Sequence, residues 1–115
     1  MSCVTTHILD TARGRGASGV LVHLHGRSDG QTDGAWQQIA GGVTDENGRI
    51  MQLGPDVLPG GTYRLTFDTG GYFAGQSTKT FFPEVLLTFT IAEGEAHYHV
   101  PLLLSPFAYS TYRGN

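Results

Sequence analysis

Short runs of alternating apolar and polar residues recur along the chain, and glycine or proline separates them. The run at residues 19–25, GVLVHLH, alternates most clearly, because its valines and second leucine fall on one face of a strand and its histidines on the other. Runs of this length between turn residues predict strands rather than helices. The predicted strands are residues 7–10, 19–25, 36–43, 49–53, 61–68, 82–91, 97–104 and 108–112.

The segments between these strands carry turn signals. Asn47-Gly48, within the turn at residues 44–48, predicts a hairpin that joins the strands on either side. The sequence RGRGASG at residues 13–19 predicts a simple loop, and only residues 69–79 leave room for a helix, which must be short. The pattern therefore predicts an all-β sandwich of seven or eight strands, with residues 1–115 forming a single domain.

Composition narrows the function classes. Hydrophobic residues make up 39% and charged residues 15% of the chain, which excludes a disordered segment. The formal net charge is −3 and the seven Lys and Arg residues are scattered, which argues against a nucleic-acid-binding surface. Cys3 is the single cysteine and cannot form an internal disulfide. No stretch approaches the ~20 apolar residues of a membrane-spanning helix, and no secretory signal pattern opens the chain, so we expect a cytoplasmic location and no membrane partner.

The strand at residues 97–104 is apolar on both faces. In a two-layer sandwich the core covers only one of them, so we expect another subunit to cover the second. A symmetric homo-oligomer follows from this expectation. One face carries His97, His99, Pro101 and Leu103, and the other carries Tyr98, Val100, Leu102 and Leu104.

Histidine and arginine are the side chains best suited to catalysis here. Histidine can take a proton from water near neutral pH, and arginine can hold an anionic oxygen, so a hydrolase acting on a planar amide could work with these groups alone. Zinc binding is the rival hypothesis, because His-x-His occurs twice and places both rings on one side of a strand, although no cysteine partner exists. The candidates are His7, Arg49, His97, His99, Tyr112 and Arg113, with His23 and His25 as competitors.

Four motifs together resemble a known family. They are HILDT at residues 7–11, Gly48-Arg49, HYHVPLLLSP at residues 97–106 and YSTYRG at residues 109–114. With these motifs the chain resembles the 5-hydroxyisourate hydrolases, the transthyretin-like enzymes of urate breakdown. The motifs are spread from one end of the chain to the other, so the resemblance covers the whole domain.

The resemblance implies a transthyretin-like sandwich with one short helix at residues 71–76. It also implies a homotetramer, a dimer of dimers with active sites in the channel between the dimers, and a reaction that needs no metal or organic cofactor. The implied reaction is hydrolytic opening of the six-membered ring of 5-hydroxyisourate, which gives 2-oxo-4-hydroxy-4-carboxy-5-ureidoimidazoline. Position by position, the implied catalytic residues are His7, Arg49 and His99, and the implied substrate-binding residues are His7, Arg49, Tyr112 and Arg113.

Two positions depart from the family pattern. Asn115 stands where the family usually ends in serine, and Arg15-Gly16-Ala17 lacks the proline that the family normally has before the alanine. The alternative function on the same fold is a non-catalytic, transthyretin-like carrier of a small ligand. Such a carrier would lack the two histidines, the arginine and the YRG tail, so the hydrolase is the function that we expect.

Overall fold

The structure is a computed structural model that describes residues 1–27 and 35–115. Its described residues form two facing β-sheets and one short helix, which confirms the predicted all-β sandwich. Within residues 1–27 and 35–115, seven strands have four residues or more, and two further strands have two residues each. The elements are β1 (Val4–Asp10), β2 (Arg15–Gly16), β3 (Leu21–Arg27), β4 (Gln37–Val43), β5 (Arg49–Ile50), β6 (Gly61–Phe67), α1 (Thr69–Ala74), β7 (Val85–Ile91), β8 (Tyr98–Ser105) and β9 (Ala108–Thr111).

The first sheet is built around the parallel pair β1 and β8. Its order is β2-β1-β8-β9, and β5 pairs with β1 off this path. The second sheet has the order β4-β3-β6-β7 and is antiparallel throughout. The first strand, β1, and the penultimate strand, β8, are therefore neighbours, and this brings the motif at residues 7–11 beside the motif at residues 97–106.

The core lies between the two sheets and takes every second residue of β1, β3, β6, β7 and β8. Val20, Val22 and Leu24 are fully buried, as the alternation at residues 19–25 predicts. On β8 the core face carries Val100, Leu102 and Leu104, which confirms the predicted division of that strand. The largest fully buried side chains are Phe67, Phe73, Ile8, Leu24, Leu53, Leu65, Ile91, Leu102, Leu104, Val4, Val20 and Val22.

The predicted hairpin at residues 44–48 is wrong, although the turn itself is present. The Gly48 N–H donates to the Asp45 carbonyl at 2.9 Å, and Gly48 has a φ of 81°, which glycine adopts without strain. The strands on either side nevertheless lie in different sheets, since β4 pairs with β3 and β5 pairs with β1. The turn thus carries the chain from one sheet to the other and delivers Arg49 to β1.

Two further boundaries differ from the prediction. The segment at residues 13–19 is more than a loop, because Arg15 and Gly16 form β2 and pair with the end of β1. The helix α1 begins at Thr69 and ends at Ala74, two residues earlier than the predicted 71–76 at each end. The Asp68 carboxylate accepts a hydrogen bond from the Gly71 N–H at 3.0 Å and caps the first turn, which fixes this start.

Candidate active site

The strand register places three candidate side chains on one face. His7 pairs with Arg49 across β1 and β5, and it pairs with Pro101 across β1 and β8. His99 pairs with Thr5, two residues before His7 on the same face of β1. His7, Arg49 and His99 therefore share the outer face of the first sheet, opposite the core. We call these three residues the His-Arg-His set.

The turn before β5 positions two members of the set. The Asp45 carboxylate accepts hydrogen bonds from the backbone N–H groups of Asn47 at 2.8 Å and Arg49 at 2.9 Å. These two bonds, with the charges of Arg49 and His7, hold the pKa of Asp45 below its usual value. The same turn presents the Asn47 carbonyl, which lies 3.0 Å from Nε2 of His7. A carbonyl only accepts, so Nε2 of His7 carries a proton and Nδ1 is the free nitrogen of the neutral ring.

His99 is held on both sides of its ring. Nδ1 lies 2.8 Å from the hydroxyl of Thr5, and the backbone N–H of Gly114 donates to the His99 carbonyl at 2.8 Å. Gly114 also lies directly on the ring, because a Cβ added there would be 2.7 Å from Cδ2 of His99. Burial lowers the pKa of His99 from its ordinary value of 6.5, and electrostatic interaction with His7, His97 and Arg49 lowers it further. The neutral, proton-accepting imidazole is therefore favoured near pH 7.

One tail residue of the predicted site, Arg113, points away from the His-Arg-His set in the single chain. Arg113 forms an ion pair with Glu95 at 2.8 Å, and its guanidinium covers the ring of Tyr98 at 4.3 Å. Tyr98 belongs to the core face of β8, so the Arg113 side chain lies on the opposite side of the strand from His99. Tyr112 is 58% exposed, and with Arg113 it lines a cavity of about 470 Å³ between β7 and the start of β8. Within one chain, the Arg113 side chain is therefore not brought to the His-Arg-His set.

Three positioning residues escaped the sequence reasoning. Thr5, Asp45 and Gly114 each hold a member of the set, yet none of them is a residue type that by itself signals catalysis. Thr5 lies two residues before the motif at residues 7–11, Gly114 is the last residue of the motif at residues 109–114, and Asp45 lies four residues before Arg49. Their roles depend on contacts between distant segments, which spacing in the sequence does not show.

A family model for the HIUase/Transthyretin family matches residues 4–114. The chain belongs to this family. The 5-hydroxyisourate hydrolase of Salmonella dublin is 45% identical over 113 residues, covering 97% of this chain and 80% of that protein. Among solved structures, the 5-hydroxyisourate hydrolase of Klebsiella pneumoniae superposes with a TM-score of 0.83 at 37% identity, covering 100% of this chain and 94% of that one. Sea bream transthyretin in complex with thyroxine superposes with a TM-score of 0.89 at 37% identity, covering 97% of this chain and 94% of that one.

Both branches of the HIUase/Transthyretin family thus share this fold, and the fold alone does not separate an enzyme from a carrier. The side chains on the outer face of the first sheet help to distinguish an enzyme from a carrier. Two imidazoles and one guanidinium meet there, and His99 is biased toward its neutral form. Such a set can accept a proton from water and stabilise an anionic oxygen.

The second His-x-His pair of this family member lies on the other sheet. His23 and His25 share the outer face of β3, with ring centroids 6.2 Å apart. Nδ1 of His25 is buried without a hydrogen-bond partner, and burial, followed by the charges of His23 and Arg64, lowers the pKa of His25. Within residues 1–27 and 35–115, no three His, Cys, Asp or Glu side chains converge as a metal site would require. In the same ranges, no helix is long and apolar enough to cross a membrane.

Proposed function

We propose that the chain is a 5-hydroxyisourate hydrolase that acts in urate degradation. The observation that carries this proposal is the shared face of His7, Arg49 and His99, which three separate strands bring together. The proposal is further supported by the names of the relatives, since the Salmonella and Klebsiella proteins are both 5-hydroxyisourate hydrolases. We also propose that residues 1–115 act as one hydrolase domain, located in the cytoplasm.

In the proposed reaction, His99 takes a proton from a water molecule, and the water oxygen bonds to the amide carbonyl carbon of the six-membered ring. Arg49 stabilises the negative charge that develops on the carbonyl oxygen. The carbon–nitrogen bond then breaks, the nitrogen receives the proton from His99, and the carbonyl carbon becomes a carboxylic acid, which releases its proton to solvent to give the carboxylate. His7 binds the substrate through its free Nδ1 and assists the proton transfers. Water and these side chains supply all the chemistry of the proposed reaction, and the product is 2-oxo-4-hydroxy-4-carboxy-5-ureidoimidazoline.

We propose that the working form is a homotetramer, arranged as a dimer of dimers. One support is β9, an edge strand of the first sheet whose four residues are all exposed, because an unprotected edge favours pairing with another chain. A second support is the exposure of Phe107, at 63%, and Tyr109, at 40%. In this arrangement another subunit shields the half-buried His7 and His99, and Tyr112 and Arg113 contact the substrate. Sedimentation should give about four times the 12.3 kDa chain mass, and a concentration-independent monomer would contradict this assembly.

The assay for the function is spectrophotometric. 5-Hydroxyisourate is generated from urate with urate oxidase, and its decay is followed with and without the protein. We expect the protein to accelerate the decay well above the spontaneous rate at neutral pH. We expect His99→Asn to lower the enzymatic rate by about 10²- to 10³-fold while the oligomer stays intact. If the wild-type protein leaves the decay unchanged but binds an apolar aromatic ligand such as thyroxine, the carrier function replaces the hydrolase.

A further inference from the structure

The hydroxyl of Thr5 lies between two imidazoles. Its oxygen is 2.8 Å from Nδ1 of His99 and 3.1 Å from Nε2 of His97. Thr5 has no exposed surface, so water does not compete for these two contacts. The two rings are nearly parallel, with centroids 6.5 Å apart and an interplanar angle of 19°. His97 is thus coupled to His99 through a single buried oxygen.

The two hydrogen bonds among Thr5, His97 and His99 can run in either of two directions. A threonine hydroxyl has one hydrogen to donate, and no third partner for it occurs among the residues that the structure describes. The hydroxyl therefore donates to one imidazole nitrogen and accepts from the other. In the first arrangement, Nδ1–H of His99 donates to Thr5, and Thr5 donates to Nε2 of His97. In the second arrangement, both hydrogen bonds run in the opposite direction.

Only the first arrangement gives His99 a usable base. With the proton on Nδ1, the neutral ring of His99 has its lone pair on Nε2, the nitrogen that Thr5 does not occupy. In the second arrangement Nδ1 accepts from Thr5, so Nε2 carries the proton and the neutral ring has no lone pair left for water. The direction of the two hydrogen bonds thus decides whether His99 can take a proton.

We propose that Thr5 and His97 are positioning residues that set the tautomer of His99. Nε2 of His97 accepts from the Thr5 hydroxyl, this turns the hydroxyl oxygen toward Nδ1–H of His99, and Nε2 of His99 is left free to act as the base. The assignment rests on the proposed hydrolase function. It gives His97 a role in the reaction, although this residue does not itself contact the substrate.

The kinetic test compares variants at Thr5 with a matched control. Thr5→Val removes the hydroxyl and keeps the shape, so we expect kcat to fall by about 10- to 100-fold with KM within about twofold, because the tautomer is no longer held. Thr5→Ser restores the hydroxyl and should recover most of kcat. The control is Thr6→Val, which removes a buried hydroxyl that donates to the Val100 carbonyl on the core face of the same strand pair, and it should leave kcat unchanged.

Variants at His97 test the direction of the hydrogen bonds. His97→Gln keeps an acceptor oxygen near the position of Nε2, whereas His97→Leu removes the acceptor and keeps an apolar side chain of moderate size. We expect His97→Gln to retain several times more kcat than His97→Leu. Equal kcat values for these two variants would overturn the role assigned to His97.

Nitrogen-15 NMR of the wild-type imidazoles tests the assignment without any variant. We expect neutral His99 to show a protonated Nδ1 and an unprotonated Nε2, and the opposite tautomer would overturn the proposal even if Thr5→Val fails to fold. The proposed function and the positioning role of Thr5 can fail independently of each other. A wild-type protein that does not accelerate 5-hydroxyisourate decay refutes the proposed function, whereas an active wild type with an equally active, folded Thr5→Val refutes only the positioning role.

Discussion

Gly114 provides a sharp test of how the chain terminus controls the site. In Gly114→Ala the new Cβ would lie 2.7 Å from Cδ2 of His99 and 3.3 Å from Cγ of Pro101. An unstrained carbon–carbon contact needs about 3.5 Å, so the tail or the imidazole must move by nearly 1 Å. The φ of Gly114 is not in the positive range, so backbone strain does not add to this effect. The variant therefore isolates the contact between the tail and the ring.

A displacement of about 1 Å at a catalytic group is expected to cost up to ~100-fold in rate. We therefore predict that Gly114→Ala lowers kcat/KM for 5-hydroxyisourate by about 10- to 100-fold, with the melting temperature within a few degrees of wild type. The matched control is Gly75→Ala at the end of α1, where φ is −63° and the new Cβ would meet its nearest atom at an ordinary 3.5 Å. A Gly114→Ala variant as active as Gly75→Ala would refute the inference that the tail holds His99.

Three further predictions concern the turn and the protonation of His99. Gly48→Ala should lower the melting temperature by at least about 5 °C in calorimetry. The φ of 81° at this position is strained for alanine, and the new Cβ would collide with the Ile8 carbonyl. An unchanged melting temperature would contradict this prediction. Because the pKa of His99 is lowered from 6.5, the midpoint of the acid-side decline in kcat/KM should lie below pH 6.5. A midpoint above 6.5 would count against His99 as the base. Asp45→Ala removes the hydrogen-bond acceptor of the Arg49 backbone N–H, so kcat/KM should fall by about tenfold while the melting temperature stays nearly unchanged. Full activity of this variant would show that Asp45 does not position Arg49.

Much of the fold could be predicted because the strands have one covered face. The alternation at residues 19–25 and 97–104 follows directly from burial of every second side chain, and it places β3 and β8 within one or two residues of their observed bounds. The predicted hairpin at residues 44–48 was wrong because strand pairing depends on contacts that are distant in the sequence. Asn47-Gly48 specifies a local reversal of the chain, but which strand β5 pairs with depends on contacts with β1, about forty residues away.

The candidate site could be predicted only in part. The motifs identify His7, Arg49 and His99, and the parallel pairing of β1 with β8 explains why residues from opposite ends of the chain meet. The sequence does not reveal that Arg113 turns to Glu95 and Tyr98, because that choice depends on which side of β8 the tail crosses. In one chain the tail approaches His99 through the backbone of Gly114 instead.

The proposed mechanism requires that the imidazole of His99 and the guanidinium of Arg49 act on one transition state. The most direct test is kcat/KM for 5-hydroxyisourate in a double-mutant cycle of His99→Asn and Arg49→Gln. Each single change should cost about 10²- to 10³-fold. Because the two groups act together, the double variant should lose clearly less than the product of the two single losses. Single variants with near wild-type rates, or two losses that simply multiply, would contradict the proposed mechanism.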